Sequence, residues 1–183
     1  MHILLTRPLE DSKELILKFS TLGHKVSHLP VIKVEPIKYD EPDYRQFKGV
    51  IFTSSNAIKN LDLTRVDKKI ECYCVGSATE KVAKLNGFQN IISAEGNVNN
   101  LKELIIQNFD SKNGSLLYIS GQVVSSRLDK DLITEGYSLK RLINYTVSST
   151  QEIKEEFITE LKASIPDITV SYTHLRAHET TSY

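Results

Sequence analysis

Short apolar runs alternate with stretches of helical period along almost the whole of this 183-residue chain, and no other feature constrains the fold as strongly. HILLT (2–6) has strand character, and the segment 8–23 that follows has helix character. Pro8 sits in its first turn, Leu15, Phe19 and Leu22 recur on one face, and Gly23 stops it. Residues 25–36 form a second apolar run, broken or bent at Pro30 and finished by Pro36. The rhythm resumes with strands predicted at 49–54, 70–75, 90–92, 115–119 and 138–146. The intervening helices are predicted from about 55 and at 77–86, 97–109 and 124–135, with Gly87 and Gly136 as stops. Strands separated by helices of this length can pair only in parallel, so the class is α/β with doubly wound parallel sheets.

Two extended, polar, turn-rich stretches, IKVEPIKYDEPDY and YTVSSTQEIKEE, bracket the middle of the chain. The expected organisation is therefore a first segment of domain 1 at 1–35, an inserted α/β domain at 36–147, and a return to domain 1 at 148–170. Residues 1–35 amount to β-α-β, too little to cover a sheet, so they must pair with something later in the chain. After the return come one helical stretch and the strand start PDITV, and there the rhythm ends. The closing SYTHLRAHETTSY has no apolar period. His174 and His178 with Glu179 have the spacing of ligands on one helical face, but no cap, apolar face or further ligand supports a metal centre, and none is expected. The segment looks like translated adapter read-through, so 171–183 is read as non-native and domain 1 as incomplete. Strand 2–6 is then expected to keep an unpaired edge and an uncovered apolar face, leaving the truncated chain inactive.

Charge narrows the range of partners. Lys plus Arg and Asp plus Glu both number 23, so there is no electrostatic footprint for nucleic acid or an anionic membrane. No apolar run approaches a membrane span, and MHILLTRP is not built as a signal peptide; the expected location is the cytoplasm. Cys72 and Cys74 alternate within an apolar run and are expected as two buried thiols.

In an α/β sheet, chemistry sits where strands lead into helices. Four such loops carry hydroxyls: Thr6-Arg7, Thr53-Ser54-Ser55-Asn56, Gly76-Ser77-Ala78-Thr79, and Ser120-Gly121-Gln122 followed by Ser125, Ser126 and Arg127. Singly, each hydroxyl is the ordinary cap of a helix start. Four on one rim, with two arginines and the free N–H groups of helix amino ends, suit anions such as carboxylate or phosphate. No G-x-G-x-x-G follows a strand, and there is neither a phosphate-binding G-x-x-x-x-G-K-[ST] nor a G-x-S-x-G elbow. Dinucleotide, nucleoside triphosphate and serine-hydrolase chemistry are thereby disfavoured.

The segments ILLTRP, LGHKVSHLPVIKVEP, VIFTSSNAI, VGSATEKVAKLNGF, LLYISG, SSRLDKDLITEGYSLKRLINYTV and PDITV occur in an order and spacing that resembles the uroporphyrinogen-III synthase family, over roughly residues 1 to 170. The resemblance implies two α/β domains joined by a two-stranded connector. It also implies a cofactor-free, monomeric hydro-lyase that closes the linear tetrapyrrole hydroxymethylbilane into uroporphyrinogen III, inverting ring D and losing water. Tyr145 matches the family's tyrosine placed to assist loss of the hydroxyl. Thr79 matches a cleft threonine. The rim residues Thr6, Arg7, Thr53, Ser54, Ser55, Ser77, Gly121 and Arg127 are expected to bind this substrate, Arg127 filling a basic position of the family. The chain departs from the family pattern at Ser120-Gly121, where relatives usually carry Arg-Gly. A non-catalytic two-lobed α/β module that binds a small anionic ligand is the alternative reading of the same rim.

Overall fold

A computed structural model of the chain describes residues 1–150 and 152–171. In chain order the first elements are β1 (His2–Leu5), α1 (Leu9–Thr21), β2 (Lys25–His28) and β3 (Ile32–Pro36). A 3-10 turn at Tyr44–Gln46 leads into β4 (Phe47–Phe52), α2 (Ser55–Lys59), β5 (Glu71–Val75), α3 (Gly76–Leu85) and β6 (Asn90–Ala94). Then follow α4 (Val98–Asn108), β7 (Ser115–Gly121), α5 (Leu128–Thr134), β8 (Leu139–Ser149), α6 (Glu155–Ala163) and β9 (Ile168–Val170). Two compact units divide the chain: Met1–Val34 with the segment beginning at Ser148, and Glu35–Val147. The tail expectation, with His174 and His178, lies outside the described residues except for Ser171.

In the first unit β1 is the middle strand of a parallel sheet ordered β2-β1-β9. Ile3 pairs with Val26 on one side and with Ile168 on the other. This corrects the expectation of an unpaired edge at 2–6, because the short return PDITV already supplies the second neighbour. Asp167 fixes the register: its N–H donates to the His2 carbonyl (2.8 Å), and its carboxylate accepts from the His2 N–H (2.7 Å). Ile3 and Leu5 are buried, and α1 packs on the neighbouring β2 with Ser12, Leu15, Ile16 and Phe19 on its inward face. Leu22 is not part of that face. It lies past the last helical turn and is 62% exposed.

The second unit is built on a six-stranded sheet ordered β3-β8-β7-β4-β5-β6, and β4 to β8 run parallel. Alternation along the strands separates two faces. Ile51, Tyr73, Leu116 and Tyr118 pack with Leu101 and Ile105 of α4 and with Leu128 and Leu132 of α5. Val50, Phe52, Cys72, Cys74, Leu117 and Ile119 point the other way, toward Ala57 and Ile58 of α2, Ala83 of α3 and the edge-on ring of Phe88. Each large apolar side chain so buried contributes roughly 1.5–3 kcal/mol before the entropy of ordering it. α5 begins at Leu128, later than the predicted 124. β-branched Val123 and Val124 with two serines make a poor helical start, and the apolar stripe begins only at Leu128. Among the described residues no helix is long and apolar enough to cross a membrane.

The order of the strands locates the site. From β4 the chain winds outward through β5 and β6, then returns to the other side of β4 with β7 and β8. Winding reverses between β4 and β7, so the helices that leave their carboxyl ends diverge to opposite faces and open a crevice there.

Candidate functional site

Thr53 just past β4, Gly121 at the carboxyl end of β7 and Tyr145 midway along β8 lie on or beside neighbouring strands. Thr53 Oγ1 lies 3.1 Å from the hydroxyl of Tyr118, an interior tyrosine of β7. Burial raises the Tyr118 pKa above the ordinary phenol value, against the opposing effects of Thr53 and Arg141, so Tyr118 is a neutral donor or acceptor. Ser54 is the cap of α2, its hydroxyl accepting from the Asn56 N–H at 3.2 Å. The three consecutive hydroxyls therefore divide their work. Ser54 satisfies the helix, Thr53 joins the tyrosine, and half-buried Ser55 opens α2.

On the adjoining strand, β5 turns into α3 at Gly76, whose φ of 78° is a left-handed conformation suited to glycine. The residue before α3 is Val75, and no side chain caps this helix. Thr79 therefore lies inside the helix and is 4% exposed, so capping does not account for it, whereas Ser77 is exposed.

Tyr145 packs directly over Gly121. A shift of register after Ser120 sets Gly121 opposite Tyr145, and the Gln122 N–H donates to the Tyr145 carbonyl at 2.8 Å. A Cβ added at Gly121 would meet Tyr145 Cζ at 2.8 Å and its hydroxyl at 3.1 Å. The phenol thus lies across the end of β7 in the space a side chain would fill, and Tyr145 is 8% exposed.

Arg127 is exposed at the start of α5 and lines a groove of about 460 Å³ with Ser125, Ser126, Asn97, Asn99 and Lys102. Thr53 and Tyr145 are not among the groove's lining residues. Thr6 and Arg7 belong to the first unit. There the Thr6 hydroxyl donates to the Val170 carbonyl (3.3 Å), and the Arg7 carbonyl accepts from Ser12 Oγ (3.2 Å) and His28 Nε2 (2.8 Å). Two side chains near Tyr145 went unread in the sequence, Tyr118 and Arg141. Arg141 gave a signal: it shares a strand face with Leu139 and Ile143, where a cation is out of place.

Hydroxyls, helix amino ends and the exposed Arg127 on one rim of this unit can hold carboxylates, and a buried phenol on the same sheet can donate a proton or hydrogen bond.

The family model described as uroporphyrinogen-III synthase HemD matches residues 13–172. Among solved structures, uroporphyrinogen-III synthetase from Helicobacter pylori 26695 aligns with a TM-score of 0.58 at 20% identity, covering 91% of this chain and 68% of that one. A mutant uroporphyrinogen III synthase from the extremely thermophilic bacterium Thermus thermophilus aligns with a TM-score of 0.55 at 15% identity, covering 82% of this chain and 64% of that one. At such identities the structural likeness concerns the fold. The chain spans about two thirds of the length of these structures. No curated protein matches it.

Proposed function

Because the chain belongs to the uroporphyrinogen-III synthase family, we propose that it acts on hydroxymethylbilane, closing it to uroporphyrinogen III with inversion of ring D and loss of water. The observation that carries this reading is Tyr145 lying over Gly121, on the strand beside the crevice that β4 and β7 open and near the Thr53–Tyr118 pair. An electron-rich pyrrole expels its hydroxyl once that oxygen is protonated or accepts a strong hydrogen bond. A phenol hydroxyl can supply the bond. Tyr145 is the proposed donor.

The remaining task is selectivity, since an unguided bilane closes head to tail. Holding the acetate and propionate groups in a fixed geometry can contribute several kcal/mol toward the rearranging closure. Thr53, Ser55, Ser77, Thr79 and Arg127 are the proposed holding groups of the second unit, with Ser54 and Gly121 contributing backbone and Thr6 and Arg7 proposed from the first. We also read 1–35 and 148–170 as two segments of one domain around the inserted 36–147, and the protein as a cytoplasmic monomer without a cofactor.

The test is incubation of hydroxymethylbilane with a protein that carries this chain at the full length of its family's solved structures, and chromatographic separation of the type I and type III isomers. Type III product supports the reading, and Tyr145→Phe should then slow it by about 10- to 1,000-fold, as for loss of one general-acid contact. Bilane retained without turnover would favour the non-catalytic binding module, and type I product alone without retention would refute both.

A further inference from the structure

Arg141 directs its whole guanidinium at protein groups. Its Nε donates to Ser120 Oγ at 2.8 Å, and Nη2 donates to the carbonyls of Gly121 at 2.8 Å and Gln122 at 3.2 Å. Nη1 lies 3.7 Å from the carboxylate of Asp129 in the first turn of α5, where the arginine side chain is 23% exposed. The guanidinium carbon stands 6.0 Å from the centre of the Tyr118 ring. We propose that Arg141 is a positioning residue for the reaction, holding the end of β7 in place beneath Tyr145; as regards catalysis this rests on the function proposed above.

The register of β7 against β8 shifts after Ser120. Past that point the β7–β8 ladder is irregular, and the carbonyls of Gly121 and Gln122 leave the regular pairing. Unmatched acceptors of this kind destabilise the strand end unless a donor is found. Arg141, four residues before Tyr145 on β8, supplies two of them from one nitrogen. The Ser120 hydroxyl, which accepts from Arg141, donates in turn to the Gly121 carbonyl at 3.1 Å. β8 therefore grips residues 120–122 twice, by the Arg141 side chain and by the Tyr145 carbonyl that accepts from Gln122. The spacing between the two grips fixes where Gly121 sits under the phenol. Asp129 extends the same clamp to the start of α5, just after Arg127. A planar five-donor fork is required for this set of acceptors. Lysine, a point charge on a flexible stem, cannot reproduce it.

Hydrogen exchange and tyrosine ring NMR on the 183-residue chain, parent against Arg141→Lys and Arg141→Met, provide the test. In Arg141→Lys the Gln122 amide should exchange about tenfold faster or more, the Tyr145 ring signals should shift, and the Val50 and Leu117 amides in mid-sheet should keep the parent rate. Arg141→Met should move the same signals further. Unchanged Gln122 and Tyr145 signals in Arg141→Lys would overturn the proposal. So would an equal acceleration at Gln122, Val50 and Leu117, which describes a general stabiliser. In the bilane assay kcat should fall with KM nearly constant. If a protein carrying this chain at the full length of the family's solved structures forms no type III product, the function proposed above is refuted, and the exchange comparison still decides whether Arg141 holds Tyr145.

Discussion

Gly121→Ala should destabilise the protein through one side chain, Tyr145. The added methyl would lie 2.8 Å from Cζ and 2.9 Å from Cε2, well inside the usual 3.5–4 Å between carbons, so the ring or the strand end must move. Overpacking of this size destabilises by roughly 1–3 kcal/mol. Backbone strain adds nothing, because Gly121 is not among the glycines with positive φ and alanine can adopt its conformation. With the ring removed by Tyr145→Ala, the same Gly121→Ala change should stabilise by about 0.4–1 kcal/mol, by restricting the unfolded chain. The coupling between the two sites should then be about 1.4–4 kcal/mol, read from a double-mutant cycle of urea unfolding followed by circular dichroism. Equal effects of Gly121→Ala in both backgrounds would refute the contact as the reason for glycine at this position.

Asn144, 0% exposed, donates to the Ala57 carbonyl at 2.7 Å, so Asn144→Ala should cost roughly 2–3 kcal/mol in the same unfolding assay, because it leaves that carbonyl unpaired beside a small void. Burial raises the pKa values of Tyr73 and Tyr118, so the unfolded chain releases these protons first. Stability should be level through neutral pH and fall above about pH 10, with urea midpoints lower at pH 11 than at pH 8; an unchanged midpoint would count against it. Cys72 and Cys74 are both 0% exposed, and Cys74 beside it together with burial pushes the Cys72 thiol up. A disulfide reagent should label them at least about a thousandfold slower in the folded than in the urea-unfolded chain, and rapid labelling of the native protein would place them elsewhere.

The fold was largely legible because its signals are local. Apolar period, and Gly23, Gly87 and Gly136 closing helices, are properties of short windows. The divisions among the hydroxyls were less so. Thr53, Ser54 and Ser55 are chemically alike, and only the backbone turn after Phe52 decides which one caps α2. Thr79 looked like a cap by its place after a strand, yet the helix starts at Gly76 and carries Thr79 into its interior. Arg141 and Tyr118 could not be placed with Tyr145 from sequence, since their proximity depends on the β7–β8 pairing and on a register slip after Ser120 that no local pattern announces. The pairing of β1 with the PDITV strand spans more than 160 residues, and hydrophobic period alone does not specify a partner at that distance.

The ends of the Glu35–Val147 unit leave on β3 and β8, which are neighbours in one sheet, with the Ile37 N–H bonded to the Asn144 carbonyl at 2.9 Å. Bringing together the two ends of a loop of more than a hundred residues costs about 4 kcal/mol in chain entropy. If this unit folds by itself, it meets that cost before the flanking segments meet. To residues 1–34 and the returning chain, the whole insertion then behaves as a tight turn whose two exits are one strand spacing apart, about 4.8 Å. Such a cassette can be lengthened, shortened or exchanged with little penalty to its host, and the order of assembly follows: the interior of the sequence first, its two arms afterwards.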